Sequence, residues 1–342
     1  KSQYGPLEFK RTDQKVDVDT LLAKYSKEAE SLDNVQFYYL LNRFVAEFKD
    51  SHFGSSLPTT HVTTLGFVTD RVQGKVLIDE IDRAVLPESK FSFQRGDEVI
   101  SIDGKPIEEV VQALAVYRGA GNPDSLLRIA SINATTRTAG TVPAATGKAK
   151  VAIRRGTSEL IDTVELDWVS TGRPVTEDGA NWRVASTQTA RDLLDISVND
   201  VFQDLPSAGA KYRCSPTTRV EIPKDATKIL EKPFVAYYHP TAKGNVGYLR
   251  IPHYSWVNVA TGAGENDIRY EEYEYAIQQL EKNTVGLVID QDHNCGGSVR
   301  LVENMVGLFM DKPFTGLEFQ FLATRNEYLT FKEGLDTDPR LT

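Results

Sequence analysis

Apolar side chains recur with a helical period in the first part of the chain. From Phe37 to Phe48 they fall at spacings of three and four residues, which places them on one face of an α-helix. Asp33, directly before this pattern, is a residue type that caps helix N-termini. The sequence therefore predicts an amphipathic helix from Asn34 to about Lys49, followed by a loop that contains His52.

Between residues 62 and 169 the pattern changes to short strand-like runs separated by turn residues. The runs are TTLGFVTD, KVLIDEI, DEVISIDGKPI, KAKVAIRR and IDTVELDWV, the last two forming a predicted hairpin around Gly156. In IEEVVQALAVY, which follows Pro106, the apolar residues share one helical face. This part is predicted to be a β-rich module with one or two helices.

From Phe234 onwards, strand and helix patterns alternate. FVAYYH and VGYLRIPHYSW resemble strands, YEEYEYAIQQLEK resembles a helix, and VGLVID is a short buried strand before a predicted helix from Val299 to Met310. This order predicts a βαβ unit in an α/β layer. Residues 170–233 carry several prolines among weak signals and predict an irregular connection, with one helix near Arg191.

The predicted fold is therefore a multidomain protein of α+β and α/β class. A chain of 342 residues is long enough for two or three domains. The predicted parts are a helical N-terminal segment (1–61), the β-rich module (62–169), the irregular connection (170–233) and an α/β core (234–342).

Charge and hydropathy exclude two classes of partner. The chain has 48 acidic and 39 basic residues, a net charge of −9, and its Lys and Arg residues are scattered. This distribution does not favour nucleic acid. The apolar runs are far shorter than the roughly 20 residues of a membrane span. Because the sequence starts at Lys1 without a cleavage site, any targeting peptide is expected to have been removed or omitted.

The two glycines in QDHNCGGSV, Gly296 and Gly297, lie between a predicted strand and a predicted helix. Amide groups at a helix N-terminus have no intrahelical acceptor and favour negative charge. Three interpretations are open: a tight turn with Ser298 as helix cap, an anion site, or an oxyanion hole for acyl transfer. The longer phosphate-loop pattern with its lysine is absent.

Reactive side chains in the same loop have simpler explanations. Ser298 lacks the G-x-S-x-G pattern of a nucleophile elbow, and a helix cap accounts for it. His293 and Cys295 are two residues apart and are not expected to form a catalytic dyad. No recognised metal spacing is present, and no cofactor or metal is predicted. Cys295 and Cys214 are expected to be free or buried thiols.

These motifs, in this order, resemble a known enzyme family. EFKDSHFGSSLP, FQRGDEVISIDGKPI and VGYLRIPHYSW followed by VGLVIDQDHNCGGSV are similar to blocks of the tail-specific (C-terminal processing) serine peptidases. The long stretch from VYRGAGNP to KAKVAIRR resembles the branch represented by the chlamydial protease-like activity factor. The resemblance implies a peptidase core with an inserted PDZ-like module.

The resemblance also implies roles for individual residues. His52 matches the catalytic histidine, the general base that would take a proton from a serine hydroxyl. The alternative is a loop histidine bonded to nearby backbone, and Asp50 is expected to fix the turn. Gly296 or Gly297 would supply one oxyanion-hole amide. A cysteine at position 295 replaces the family's proline, which could make activity sensitive to oxidation.

For the PDZ-like module, the resemblance implies peptide binding by strand addition. Leu65, Gly66 and Phe67 resemble its carboxylate-binding loop. The alternative is an ordinary strand with a glycine bulge. The module could also serve dimerisation or packing more than ligand capture.

The resemblance implies a serine endopeptidase that acts on protein or peptide substrates and is secreted or periplasmic. The family's nucleophilic serine and acidic residue lie downstream of the Gly-Gly loop, so this chain resembles the N-terminal part and is expected to be inactive alone. A C-terminal fragment of the same protein and a second copy in a homodimer are the expected partners. A processing segment is expected in 199–233 or beyond Thr342. The alternative is a catalytically silent PDZ-containing peptide-binding protein on a peptidase scaffold.

Overall fold

The structure is a computed structural model, which describes residues 4–174 except 58, 157 and 159, residues 220–254, residues 270–316 except 293 and 295, and residues 322–337. These residues form two compact units, each with its own core. The first unit holds the described residues within 4–79, 92–174 and 322–337, and the second holds those within 80–91, 220–254 and 270–316.

Helices of the first unit begin and end at identifiable caps. They are α1 (Leu7–Thr12), α2 (Val18–Ala29), α3 (Asn34–Ala46), α4 (Ile107–Ala115), α5 (Pro123–Asn133) and, after the elements of the second unit, α8 (Arg325–Thr337). At the start of α3, Asp33 accepts a hydrogen bond from the amide of Gln36, whose side chain accepts from the amide of Asp33. Such a capping box stabilises a helix by about 1 kcal/mol.

The first unit contains two small sheets. Their strands are β1 (Val62–Thr64), β2 (Phe67–Val72), β3 (Lys75–Ile81), β4 (Glu98–Ile102), β5 (Lys105–Pro106), β6 (Thr136–Thr138), β7 (Lys148–Arg154), β8 (Ile161–Asp167) and β9 (Val169–Thr171). One sheet has the order β6-β1-β9, and the other has the order β2-β3-β4-β7-β8 with β5 beside β4. Strand β2 is therefore an end strand of the larger sheet.

The described residues of the second unit form a four-stranded sheet and two helices. Its elements are β10 (Thr227–Leu230), β11 (Val235–Thr241), β12 (Gly244–Arg250), α6 (Tyr270–Asn283), β13 (Gly286–Asp290) and α7 (Val299–Gly307). The order is β10-β11-β12-β13, and only β12 and β13 are parallel. A buried apolar cluster joins this sheet to α6 and α7, with Phe234, Leu249, Tyr273 and Leu301 among its members.

The mixed fold predicted from the sequence is confirmed: N-terminal helices, a β-rich region and a βαβ unit (β12, α6, β13) all form. The hairpin of β7 and β8 also forms as predicted. The boundaries of the predicted domains stay predictions. Most of the irregular connection, with the helix expected near Arg191, lies outside the described residues.

Three predicted elements differ in extent. The run TTLGFVTD is not one strand, because Gly66 has a positive φ of 84° and separates β1 from β2, which belong to different sheets. Helix α3 ends at Ala46 and not near Lys49, whose φ is 52°. Helix α7 ends at Gly307, three residues before the predicted Met310.

Candidate functional site

The loop that carries His52 is fixed by Asp50. One carboxylate oxygen of Asp50 accepts a hydrogen bond from the amide of His52 at 3.0 Å. This side-chain-to-backbone bond makes a turn of the Asx type directly after α3. The His52 side chain is exposed, and its Nδ1 lies 3.4 Å from the Ser51 hydroxyl. Asp50 thus fixes the turn, as the sequence predicts, and His52 faces solvent.

The N-terminal segment holds the same loop from the other side. Tyr4 donates its hydroxyl to the second oxygen of Asp50 at 2.7 Å, and the buried Lys10 donates to the backbone oxygen of Lys49 at 2.9 Å. Burial raises the pKa of Asp50, but the Tyr4 hydroxyl, the His52 amide and the charge of Lys10 outweigh it and leave the pKa below its ordinary value. Asp50 is therefore a carboxylate at neutral pH.

A cluster of aromatic rings packs next to the His52 loop. Phe48 and Phe53 have ring centroids 5.1 Å apart, and Tyr4 lies 5.4 Å from Phe48 and 4.9 Å from Phe53. Backbone also packs closely here, because a Cβ added to Gly119 would lie 2.7 Å from the oxygen of Asp50. The loop is thus packed on a rigid base, which limits the positions that its backbone can take.

The Gly-Gly loop after β13 is organised by Asn294. Its side-chain nitrogen donates to the backbone oxygen of Ile251 at 2.8 Å, and its side-chain oxygen accepts from the amide of Gly296 at 2.7 Å. The amide of Gly296 is therefore already used inside the loop. Asn294 ties this loop to the end of β12, the neighbouring strand.

Gly297 can only be a glycine in this conformation. Its φ is 138°, and an added Cβ would lie 2.2 Å from the backbone oxygen of Tyr254. Tyr254 binds both neighbours of Gly297: its amide donates to the oxygen of Gly296 at 2.7 Å, and its oxygen accepts from the amide of Ser298 at 2.8 Å. Within the described ranges, no acceptor is found for the amide of Gly297 itself.

Ser298 is the N-cap of α7, as one interpretation of the sequence predicts. Its hydroxyl accepts from the amide of Leu301 at 3.3 Å, and its backbone is extended. The Gly297 amide therefore lies one residue before a helix N-terminus, where the helix dipole favours negative charge. His293, Cys295 and Cys214 lie outside the described residues.

A polar cluster anchors the strand end before this loop. Asp290 accepts from the Tyr248 hydroxyl and, at 2.7 Å, from the amide of Asp292, and Arg250 lies 3.1 Å from the carboxylate in an ion pair. Burial raises the pKa of Asp290, but Tyr248, Asp292 and Arg250 together lower it below its ordinary value. The carboxylate thus joins the ends of β12 and β13.

The predicted PDZ carboxylate loop has a different environment. Leu65 and Phe67 are 0% and 1% exposed, so both side chains belong to the core. The amide of Leu65 donates to the oxygen of Thr135 at 2.9 Å, and the amide of Gly66 donates to the Thr64 hydroxyl at 3.1 Å. Carboxylate binding at these two amides stays a prediction, and it would require both bonds to be exchanged.

Some residues of these loops were not singled out from the sequence. Tyr4 and Lys10 both hold the His52 loop, but a tyrosine and a lysine carry no motif of their own. In the part of the chain that the structure describes, no group of three or more His, Cys, Asp or Glu residues is arranged to hold a metal ion. No helix among the described residues is long and apolar enough to cross a membrane.

Comparison with known sequences assigns the β-rich module and a group of relatives. A PDZ domain family matches residues 60–175. A Chlamydia trachomatis protein is 32% identical over 116 residues, 31% of this chain and 19% of that protein. A Chlamydia pneumoniae protein is 24% identical over 325 residues, 84% of this chain and 51% of that protein. This chain thus spans about half the length of the Chlamydia pneumoniae protein.

Comparison with solved structures supports the same fold. Mature CPAF matches with a TM-score of 0.75 at 21% identity, over 98% of this chain and 60% of CPAF. CPAF complexed with lactacystin matches with a TM-score of 0.73, over 98% of this chain and 61% of that one. At this level of identity the likeness establishes the fold. The resemblance seen in the sequence is therefore confirmed in its architecture.

Proposed function

We propose that this chain is part of a serine endopeptidase and that it supplies the general base and one oxyanion-hole donor. CPAF, whose fold it shares, is a chlamydial serine protease. His52 takes the proton from a serine hydroxyl, and the amide of Gly297 binds the negatively charged oxygen of the tetrahedral intermediate. The nucleophilic serine and the third member of the triad come from a further segment of the same protein.

The observation that carries this proposal is the amide of Gly297. An oxyanion hole needs a donor that is held rigidly and has no internal acceptor. The bonds of Tyr254 to both neighbours of Gly297 hold its backbone in place, and the helix dipole of α7 adds favourable charge. Of the two glycines considered from the sequence, Gly297 fits this role better, because Asn294 already accepts from the amide of Gly296.

The geometry of the His52 loop supports the role of the base. A general base must be reachable by the substrate and held in one place. His52 is exposed, while its backbone is fixed through Asp50 to Tyr4. Asp50 is engaged by these two bonds, so the carboxylate that orients the imidazole ring is proposed to come from the further segment.

The second unit has a surface that fits such a segment. Strand β13 is an end strand, and parallel strands are usually covered on both faces. Its region nevertheless exposes apolar side chains: Val285 is 71% exposed, Val288 49% and Ile289 45%. The segment proposed to cover them is the part of the same protein that corresponds to the 40% of CPAF outside the match.

The test is turnover of a fluorescently labelled, unfolded casein by the complete protein that contains this chain. We expect cleavage by the complete protein, none by residues 1–342 alone, and a loss of about a thousandfold on His52→Ala. Lactacystin, which is found bound to CPAF, should inhibit the complete protein. Labelling by a fluorophosphonate probe should locate the serine in the further segment.

His61→Ala is the matched control. His61 belongs to the same unit, and its Nδ1 lies 3.1 Å from the backbone oxygen of Thr171, which is a structural contact. This variant should keep most of the activity. Full turnover by a folded His52→Ala variant, or no cleavage by the complete protein, would contradict the proposal. A catalytically silent binding protein would show the second result. Secretion and homodimerisation stay predictions from the family resemblance.

A further inference from the structure

The outer edge of β2 is where a peptide would add to the PDZ module. PDZ domains bind an extended peptide as an additional strand at a sheet edge. Strand β2 starts at Phe67, the last residue of the predicted carboxylate loop, and it is an end strand of its sheet. Whether this edge is open therefore decides whether the module can bind a peptide in this way.

Helix α5 is bonded directly to β2. The hydroxyl of Thr69 donates to the backbone oxygen of Ser131 at 2.6 Å. The carboxylate of Asp70 accepts from Nε of Arg128 at 2.8 Å and from a terminal nitrogen of the same guanidinium at 2.7 Å. This is a two-point pair with a buried carboxylate, since the Asp70 side chain is 6% exposed and that of Arg128 is 45%. These contacts leave no gap between β2 and α5 that is wide enough for a peptide strand.

Backbone groups on the β2 edge are also occupied. The oxygen of Phe67 accepts from the Thr136 hydroxyl at 3.3 Å, and the amide of Arg71 donates to the carboxylate of Asp70 at 2.8 Å. Neither bond goes to β3. The backbone groups of residues four apart in a strand point to the same edge, so the oxygen of Phe67 and the amide of Arg71 both belong to the outer edge of β2. An incoming strand would have to replace these bonds.

A second helix contacts a side chain near the far end of the strand. The guanidinium of Arg71 binds both oxygens of Glu108 in the first turn of α4. Helices α4 and α5 also pack on each other. Side chains of α5 thus contact the edge of β2, and Glu108 of α4 pairs with Arg71 near its far end.

We infer that α5 occupies the peptide-binding edge of the PDZ module and that the bonds of Thr69 and Asp70 to α5 act as a latch that keeps the module closed to peptides. In this state the module is a packing unit. Binding of an extended peptide with a free carboxylate requires α5 to leave β2. The inference is independent of the proposed peptidase activity, because it concerns only the PDZ module.

Fluorescence anisotropy with a labelled octapeptide of alternating valine and threonine and a free C-terminal carboxylate tests the latch. Wild-type chain should show no saturable binding. Arg128→Gln, which removes the ion pair, should bind the peptide saturably, with an affinity at least about tenfold above the upper limit set by the wild type, because apparent affinity rises with the fraction of open molecules. Thr69→Val, close in size but without the hydroxyl, is a second variant in case Arg128→Gln does not fold.

Lys148→Gln is the matched control for Arg128→Gln. It removes the same charge from an ion pair with Glu165 on β7 and β8, away from the β2 edge, and it should bind peptide no better than the wild type. Amide hydrogen exchange provides a second test. We expect α5 and β2 to exchange faster together in Arg128→Gln and Thr69→Val, and at the wild-type rate in Lys148→Gln.

Two results would overturn the inference. One is saturable binding of the octapeptide to the wild type, with new exchange protection in β2 and undiminished protection of α5, since the edge would then be open. The other is a pair of folded latch variants in which peptide affinity stays at the wild-type level, whether or not α5 exchanges faster.

Discussion

Two glycine-containing loops of this protein were predicted to offer backbone amides to a ligand, and they differ in what surrounds those amides. In the PDZ module, the amides of Leu65 and Gly66 both have acceptors inside the module. In the loop after β13, the side-chain oxygen of Asn294 accepts a hydrogen bond from the amide of Gly296, while the amide of Gly297 has no acceptor among the described residues. A positive φ at glycine occurs in both loops, so backbone conformation alone does not make a binding site.

This difference follows from how each loop is held. The PDZ loop is fixed through its own amides, which are the groups that a ligand would need. The loop after β13 is fixed through the side chain of Asn294 and the backbone of Tyr254, and this arrangement leaves the amide of Gly297 without an acceptor among the described residues. A backbone amide can act as a preorganised donor only when other groups hold the loop rigid, so that the amide itself stays available to a ligand.

The largest expected effect is that of Gly297→Ala. The added Cβ would lie 2.2 Å from the oxygen of Tyr254, at a φ that other residues rarely adopt. We expect the free energy of unfolding of this chain in urea to fall by about 3 kcal/mol. Gly296→Ala is the control: a Cβ there meets no atom within 4 Å, so the cost is only that of its positive φ, about 1 kcal/mol. Equal losses would contradict the assigned close contact.

An intermediate effect is expected for Asn294→Ala. The change removes the bonds to Ile251 and Gly296 and should cost about 2 kcal/mol in urea unfolding, with faster hydrogen exchange at Gly296. Thr64→Val is the matched change in the PDZ loop, because it removes the acceptor of the Gly66 amide. Only the amide of Gly66 loses its partner there, because the Thr136 hydroxyl, which also bonds that of Thr64, still donates to the oxygen of Phe67. About 1 kcal/mol is therefore expected. A larger loss for Thr64→Val would reverse the comparison.

The smallest effect is a pH dependence confined to one loop. Because the pKa of Asp290 is lowered in the folded chain, its contribution to stability is present above the unfolded value near 3.9 and is lost as the pH falls through the folded value. Amide exchange at Gly296, corrected for the intrinsic rate, should therefore accelerate in acid.

The PDZ loop provides the internal control for this dependence. No carboxylate accepts from the amides of Leu65 and Gly66, so their corrected exchange should change less over the same pH range. Asp290→Asn should remove most of the acid response of the loop after β13. An unchanged response in this variant would show that another group is responsible.

Local sequence signals identified much of the fold and one part of the site. The Asp33 cap and the apolar spacing of α3 predicted that helix from its first residue, and the Ser298 cap predicted the start of α7. Helix α5 was not assigned, although Asn122 caps it and Pro123 occupies its first turn, which is a recognisable start signal. The unrecognised latch between α5 and β2 follows from that omission.

The sequence by itself determined where helices start, where the chain must turn and which residue types carry chemistry, because these features depend on neighbours within a few positions. Only the tertiary structure decided which amide has no acceptor in the described part of the chain and what holds each loop. Tyr4 binds Asp50 from 46 positions away, and Asn294 binds Ile251 from 43 positions away. Such partners are brought together by the packing of whole elements, and no local pattern of residues records them.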